Sequence, residues 1–139
     1  MFRHRCTVSA LNFSPDGRCL VTCSYDMTVR IWGLRDGSSK VLTTFGDFPR
    51  SVRCSPDGRY IASGGNPLIW SMRTGKLVTK WPGHSGLVAS LVFTPDGKGL
   101  LSASLDKQVI HWDVASFGMT DPPSSDPMEI SRLLGHKVR

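Results

Sequence analysis

The segment FTPDGKGLLSASLDKQVIHWD, residues 93–113, decides the fold because its landmarks recur along the chain. The tripeptide Pro-Asp-Gly begins at Pro15, at Pro56 and at Pro95, and a tryptophan follows each copy. Successive copies therefore start 41 and 39 residues apart. A period near 40 residues is typical of arrays in which each repeat is one supersecondary unit.

The first and third copies align without a gap at an offset of 80 residues. The paired positions are His4 and His84, Phe13 and Phe93, Thr22 and Ser102, Asp26 and Asp106, and Trp32 and Trp112. The middle copy has no equivalent histidine or aspartate, is three residues shorter between its Pro-Asp-Gly and Trp70, and places Pro67 in a strand-like run. Proline cannot donate to a sheet ladder, so we expect the middle repeat to be the least well satisfied and the most mobile.

Each repeat predicts four antiparallel strands. TVSALNF and LVASLVF alternate apolar with small or polar residues, which is typical of a half-buried strand. The runs MTVRIW and KQVIHW are rich in β-branched residues and end on a tryptophan. Pro-Asp-Gly supplies a tight turn, since proline presets φ and glycine accepts positive φ. With no helical pattern in the chain, the sequence predicts an all-β fold built from β-propeller blades.

These landmarks resemble the WD-repeat (WD40) β-propeller family over essentially the whole chain. The resemblance rests on a Gly-His pair, Pro-Asp-Gly, an aspartate eleven residues after the proline, and a Trp-Asp pair, all present in the third repeat. It implies about three four-stranded antiparallel blades in an incomplete open arc. The boundaries we assign are 1–45 for blade 1, 46–82 for a degenerate blade 2, 83–134 for blade 3 with a loop insertion at 115–128, and 135–139 for the start of a further repeat.

The serine, histidine and aspartate near residue 106 are the residue types of a catalytic triad. Because the same types recur at equivalent positions of the first repeat, we predict a structural role for them. Blades of the WD-repeat family contain a buried hydrogen-bonded tetrad, and His111 falls on the opposite strand face from Trp112. The resemblance implies structural tetrads at His4, Thr22, Asp26 and Trp32, and at His84, Ser102, Asp106 and Trp112. We therefore predict no catalytic residues, no metal ligands, no cofactor and no enzymatic activity.

Composition excludes several other classes of protein. Of 139 residues, 40% are hydrophobic and 20% charged, as in an ordinary globular chain. No apolar run approaches the roughly 20 residues of a membrane span, and we predict an intracellular protein without a membrane partner. The four cysteines form no Cys-x-x-Cys pair and read as small buried thiols. The charges that give the net value of +6 are scattered, which does not favour direct binding of nucleic acid.

The positive prediction is a rigid platform whose rim binds other proteins or peptides. In the WD-repeat family the docking face comprises the loops between blades and the turns after the second strand. The matching positions are Arg5, Tyr25, Met27, Ser85, Leu105 and Lys107.

A finer resemblance links residues 93–114, the proline-rich insertion and EISRLLGHK to the fungal Tup/Groucho-type general transcriptional corepressors. It implies a nuclear corepressor whose propeller docks DNA-bound repressors or chromatin factors. Two alternatives remain: a signalling adaptor of the G-protein-β type, and a truncated, non-functional fragment. Because three blades cannot close a ring, we expect either a piece of a longer protein or self-association through unpaired blade edges.

Overall fold

The computed structural model contains three four-stranded antiparallel sheets, which confirms the predicted all-β fold and open arc of blades. It describes residues 1–43, 48–64, 67–81, 83–114 and 137–138, and no helix occurs among them. The predicted loop insertion at 115–128 lies outside the described residues. So does most of the further repeat, apart from its short strand at 137–138.

The strands follow chain order within each blade. Blade 1 contains β1 (Val8–Phe13), β2 (Cys19–Ser24), β3 (Thr28–Gly33) and β4 (Ser39–Thr43). Blade 2 contains β5 (Val52–Cys54), β6 (Tyr60–Gly64), β7 (Pro67–Ser71) and β8 (Leu77–Lys80). Blade 3 contains β9 (Val88–Phe93), β10 (Gly99–Ser104), β11 (Val109–Asp113) and β12 (Lys137–Val138), with β12 paired to β11. Pro67 occupies the first position of β7, where a missing N–H interrupts the ladder least.

The Pro-Asp-Gly turns join the first and second strands of each blade in one geometry. In blade 3, Thr94 Oγ1 donates to Asp96 Oδ1 at 2.6 Å, and the same carboxylate oxygen accepts from the backbone N–H of Lys98 at 2.9 Å. Gly97 has a φ of 73°, a region that glycine enters without steric cost. The repeated tripeptide is therefore a turn whose aspartate bonds its own backbone two residues on.

The first strands of the blades are neighbours along the inner edge of the arc. Asn12 on β1 accepts the backbone N–H of Cys54 on β5 at 2.9 Å, and Arg53 on β5 donates to the carbonyl of Leu91 on β9 at 3.0 Å. Hydrogen bonds from a side chain of one first strand to the backbone of the next therefore connect the three sheets at the centre. The faces of neighbouring sheets stack against each other.

The core consists of two clusters, one between each pair of blades. Trp70 and Ile61 of blade 2 pack with Val29 of blade 1. Trp112 of blade 3 packs with Ile69 of blade 2. Trp70 and Trp112 thus point towards the blade before their own. We call that side of a blade its preceding face and the opposite side its following face.

Blade 2, the repeat expected to be the least well satisfied and the most mobile, lies between the other two blades. All five residues of Tyr60–Gly64 are buried, as are the first four of Pro67–Ser71. It lacks the histidine and aspartate, but both of its faces are covered by apolar neighbours. Its expected mobility stays a prediction, and the burial argues against it. The expectation of four buried cysteines holds in full only for Cys23, since Cys19 and Cys54 are partly buried and Cys6, which lies before β1, is exposed.

Candidate functional site

The four predicted tetrad residues of blade 3 form one hydrogen-bonded chain. The indole N–H of Trp112 donates to Ser102 Oγ at 2.8 Å, and Ser102 Oγ lies 2.7 Å from His84 Nε2. His84 Nδ1 lies 2.8 Å from Asp106 Oδ2. Since Ser102 already accepts from Trp112, its hydroxyl donates to Nε2. His84 then carries its proton on Nδ1 and donates to Asp106.

Asp106 also closes the turn between β10 and β11. Its two oxygens accept the backbone N–H groups of Ser85, at 3.0 Å, and Gln108, at 2.9 Å. Burial opposes ionisation of this carboxyl group, but the hydrogen bonds from His84, Gln108 and Ser85 outweigh that effect and hold its pKa below the ordinary value. Asp106 is therefore a carboxylate at neutral pH and joins three segments of the chain.

Blade 1 repeats the network with one change of residue type. Thr22 takes the place of the serine, accepts the indole N–H of Trp32 at 2.8 Å and contacts His4 Nε2. His4 Nδ1 lies 2.9 Å from Asp26 Oδ2. Burial again opposes ionisation of Asp26, while hydrogen bonds from the Thr28 hydroxyl, the Arg5 N–H and His4 lower its pKa well below the ordinary range.

Blade 2 retains one link of the network, which the sequence analysis missed. Trp70 donates its indole N–H to Ser63 Oγ at 3.2 Å. Ser63 lies seven residues after its Pro-Asp-Gly proline, the same spacing as Thr22 and Ser102 in their repeats. That spacing was available in the sequence as the means of finding it. In sequence the middle repeat is three residues shorter between its Pro-Asp-Gly and Trp70, and no residue corresponds to the aspartate.

These networks are shielded from solvent, which argues against acid–base catalysis. The side chain of His84 is 0% exposed and that of Asp106 5% exposed, and both imidazole nitrogens are engaged. An external substrate therefore has no access to the imidazole. His111 lies on the following face, over Gly99, whose lack of a side chain makes room for the ring.

The six predicted docking residues lie in the loops before the first strands and between the second and third strands of blades 1 and 3. The backbone N–H groups of Arg5 and Ser85 are used by Asp26 and Asp106. Met27 and Lys107 have positive φ values of 64° and 72°. Two of the apolar positions are the most informative, since Tyr25 is 42% exposed and Leu105 is 62% exposed.

Tyr25 lines an apolar pocket on the rim, which we call the rim pocket. Its other walls are Phe48 and Arg50, which precede β5, and Leu87, which precedes β9. The rings of Tyr25 and Phe48 meet edge to face with centroids 5.8 Å apart. Leu87 is held by its carbonyl, which accepts the N–H of Leu105 at 3.0 Å. Residues from all three blades thus converge on one concave surface.

Sequence reasoning found one of the four residues of the rim pocket. Phe48, Arg50 and Leu87 were missed, although Phe48 and Leu87 are apolar residues placed just before a first strand. Apolar residues in that position are equally compatible with the core, and only the fold shows that Phe48 stays 48% exposed.

Other kinds of site find no support in the part of the chain that the structure describes. There, no group of three or more His, Cys, Asp or Glu side chains is arranged to hold a metal ion. Burial raises the pKa of the Cys54 thiol to about 12, so that thiol is a poor nucleophile. Among the described residues, no helix has the length and apolar character needed to cross a membrane.

Comparison with known families agrees with the geometry. The model of the family described as "WD domain, G-beta repeat" matches residues 1–33, 39–69 and 75–113. Each matched range contains one Pro-Asp-Gly, and the first and third also contain Trp32 and Trp112.

Individual proteins of different kinds resemble the chain. Autophagy-related protein 16 of Arabidopsis thaliana is 32% identical over 104 residues, which cover 73% of this chain and 20% of that protein. Meiotic recombination protein rec14 of Schizosaccharomyces pombe is 34% identical over 107 residues, 74% of this chain and 35% of that protein. The solved structure of U3-55K superimposes with a TM-score of 0.79 and 25% identity, covering 83% of this chain and 38% of that one. The chain thus spans about a third or less of the curated relatives it matches.

Proposed function

The chain belongs to the WD-repeat family, and from that membership we propose that it is a non-enzymatic interaction scaffold that binds partner proteins at the rim pocket. The observation that carries the proposal is the pocket formed by Tyr25, Phe48, Arg50 and Leu87. Tyrosine, phenylalanine and arginine are enriched at protein interfaces, and tyrosine and arginine among the residues that dominate binding energy. The β-sheets behind them hold the loops in place, so little order has to be gained on binding.

The chemistry of the pocket selects the class of partner. Tyr25, Phe48 and Leu87 offer apolar walls, whereas Arg50 offers a guanidinium at the margin. A short peptide segment with one large apolar side chain next to an aspartate or glutamate complements both features. Arg50 can pair with the carboxylate in a bidentate manner, and the apolar side chain fills the space between the rings.

We propose DNA-bound repressors or chromatin factors as the proteins that carry such a segment, in a nuclear corepressor of the Tup type. What supports this finer proposal is the resemblance of residues 93–114 and of the following insertion to that group. The relatives include an autophagy-related protein and a meiotic recombination protein. Membership of the WD-repeat family therefore does not by itself indicate which class of partner is bound.

Selection from a displayed random peptide library on the immobilised chain tests the rim pocket. We expect enrichment of sequences with a Phe, Leu or Trp beside an acidic residue, and loss of the selected peptides in a Tyr25→Ser/Phe48→Ser variant by at least tenfold in affinity. The matched control is Leu34→Ser, which alters a comparably exposed apolar residue in the loop after β3, away from the pocket. Peptides that bind both variants equally would refute the assignment.

A second measurement separates the partner classes. Purified repressor domains and purified signalling subunits would be titrated against the chain, with Arg50→Glu and Lys107→Ala as variants. Binding of repressors that Arg50→Glu abolishes supports the corepressor proposal. Binding confined to signalling subunits supports the adaptor alternative of the G-protein-β type.

A further inference from the structure

Blades 1 and 3 carry equivalent apolar residues in opposite surroundings. Leu91 is 1% exposed and Phe93 8% exposed, because blade 2 covers the preceding face of blade 3. Their repeat equivalents in blade 1, Leu11 and Phe13, are each 58% exposed. Because the residue types are the same, the difference in exposure arises from the absence, among the described residues, of a neighbouring blade in front of blade 1. The preceding face of blade 1 has the composition of a blade–blade interface.

The opposite end of the arc presents the complementary surface. Val29 on the following face of blade 1 is 0% exposed, because it packs in the cluster shared with blade 2. Its equivalent in blade 3, Val109, is only partly buried, as are Leu101 and Ala103 on the same face. One chain therefore carries both halves of a blade–blade interface, and no blade covers either half within the described residues. On the first of them Phe2 lies against Trp32, with ring centroids 4.8 Å apart, and leaves Leu11 and Phe13 exposed.

We propose that the preceding face of blade 1 binds the following face of blade 3 in a second copy of the chain. The internal contacts show what such a face accepts, since following faces cover preceding faces at both blade–blade contacts within the chain. Two copies related by a two-fold axis make this contact twice. They bring together six blades, within the roughly four to eight that close a propeller.

One polar residue, Arg30, distinguishes the preceding face of blade 1 from the internal preceding faces. Arg30 on the preceding face of blade 1 pairs across the hairpin with Thr22, where Leu68 and Ile110 stand in the other blades. Its guanidinium lies over the Trp32 ring, 5.7 Å from the centroid. Arginine that shields an aromatic ring suits a surface that meets water in the free protein and is covered on association.

The mass of the purified full chain in solution, measured by light scattering across a concentration series, is the first test. We expect a dimer of twice 15.3 kDa that dissociates on dilution. A folded chain that stays monomeric at high concentration overturns the proposal and leaves other blades as the cover for this face. Open-ended polymers overturn ring closure.

Face-specific variants then test which surfaces meet. Leu11→Glu/Phe13→Glu blocks the preceding face of blade 1, and Val109→Glu blocks the following face of blade 3. We expect each variant alone to be monomeric, whereas their mixture forms a heterodimer through the one intact interface. A Val109→Glu chain that remains dimeric would show that two preceding faces meet and would refute the proposal.

The controls separate this inference from the rim-pocket proposal. Tyr25→Ser/Phe48→Ser alters the rim pocket alone, so the dimer should persist while peptide binding is lost. Circular dichroism of every variant establishes that the β-structure is intact. Because the wild-type mass decides the oligomeric state without any substitution, a variant that fails to fold does not leave the proposal untested.

Discussion

Blades 2 and 3 hold equivalent tryptophans in different ways. Trp112 lies at the end of a chain of hydrogen bonds that runs through Ser102 and His84 to Asp106. Trp70 donates to Ser63, and its repeat contains neither the histidine nor the aspartate of the other two. Yet blade 2 is the blade whose two central strands are buried on both faces.

The difference indicates that two sources of stability substitute for each other. A polar network ties the turn between the second and third strands of a blade to the loop that enters it, and this matters most where a face lacks a neighbour. Apolar burial contributes roughly 25 cal/mol per Å², and blade 2 receives it on both sides. A middle blade can therefore lose half of the network without losing its fold.

The largest effect expected from this comparison is the loss of apolar contact on one face of blade 2. Ile69 is fully buried in the cluster shared with blade 3. Replacing it with alanine should lower the free energy of unfolding by about 2–5 kcal/mol, through lost burial and a residual cavity. Chemical denaturation measures this value.

The control for Ile69→Ala is Leu34→Ala, which shortens a side chain that is 40% exposed in the loop after β3. That change should stay within about 0.5 kcal/mol. If Ile69→Ala were equally mild, stacking between blades could not be what holds blade 2, and the comparison would fail.

A smaller effect should appear when the linking hydroxyl is removed from each blade. Ser102→Ala leaves both the Trp112 indole and His84 Nε2 without their partner, so we expect a loss of about 2–3 kcal/mol. Ser63→Ala removes the hydroxyl that accepts from Trp70 alone, so we expect a loss of about 1 kcal/mol. Thermal unfolding of both variants gives the ratio of the two losses of stability.

Ser85→Ala, at an exposed position of the loop before β9, controls for the loss of a serine hydroxyl and should change stability little. Equal losses for Ser102→Ala and Ser63→Ala would mean that the histidine and aspartate contribute nothing beyond the indole bond. A larger loss for Ser63→Ala would reverse the order of the two blades.

Much of the fold could be predicted from the sequence because its determinants are local and repeated. Pro-Asp-Gly fixes a turn by its own backbone preferences, and strands with alternating polarity flank it. The seven-residue step from the proline identified Thr22 and Ser102, and applied to the middle repeat it would also have identified Ser63.

What could not be predicted depends on which surfaces meet. Phe13 and Phe93 stand in almost identical sequence, yet one is exposed and the other is buried, because only one has a blade in front of it. The rim pocket was missed for the same reason, since Tyr25, the segment with Phe48 and Arg50, and Leu87 lie far apart in sequence and converge only in the folded arc. The hydrophobic pattern of a strand predicts that one of its faces is buried, but it does not predict which part of the protein packs against that face.

The smallest expected effect is a dependence on pH that belongs to blades 1 and 3. In the folded state Asp26 and Asp106 have pKa values below the ordinary one, because the hydrogen bonds they accept outweigh the effect of burial. Their contribution to stability is complete above the unfolded pKa of about 3.9. As the pH falls from there towards the folded pKa, the unfolded chain takes up protons first, and stability decreases.

Asp106→Asn should therefore lower stability at neutral pH and also make the decrease below about pH 4 shallower than in the wild type, since one carboxylate with a lowered pKa is gone. Asp26→Asn/Asp106→Asn should be shallower still. Ser63→Ala supplies the matched control, because it weakens blade 2 through an uncharged group and should shift the denaturation curve equally at every pH. If Ser63→Ala altered the slope as much as Asp106→Asn does, the acid sensitivity would arise outside the networks, and the polar tetrads could not be the feature that separates blades 1 and 3 from blade 2.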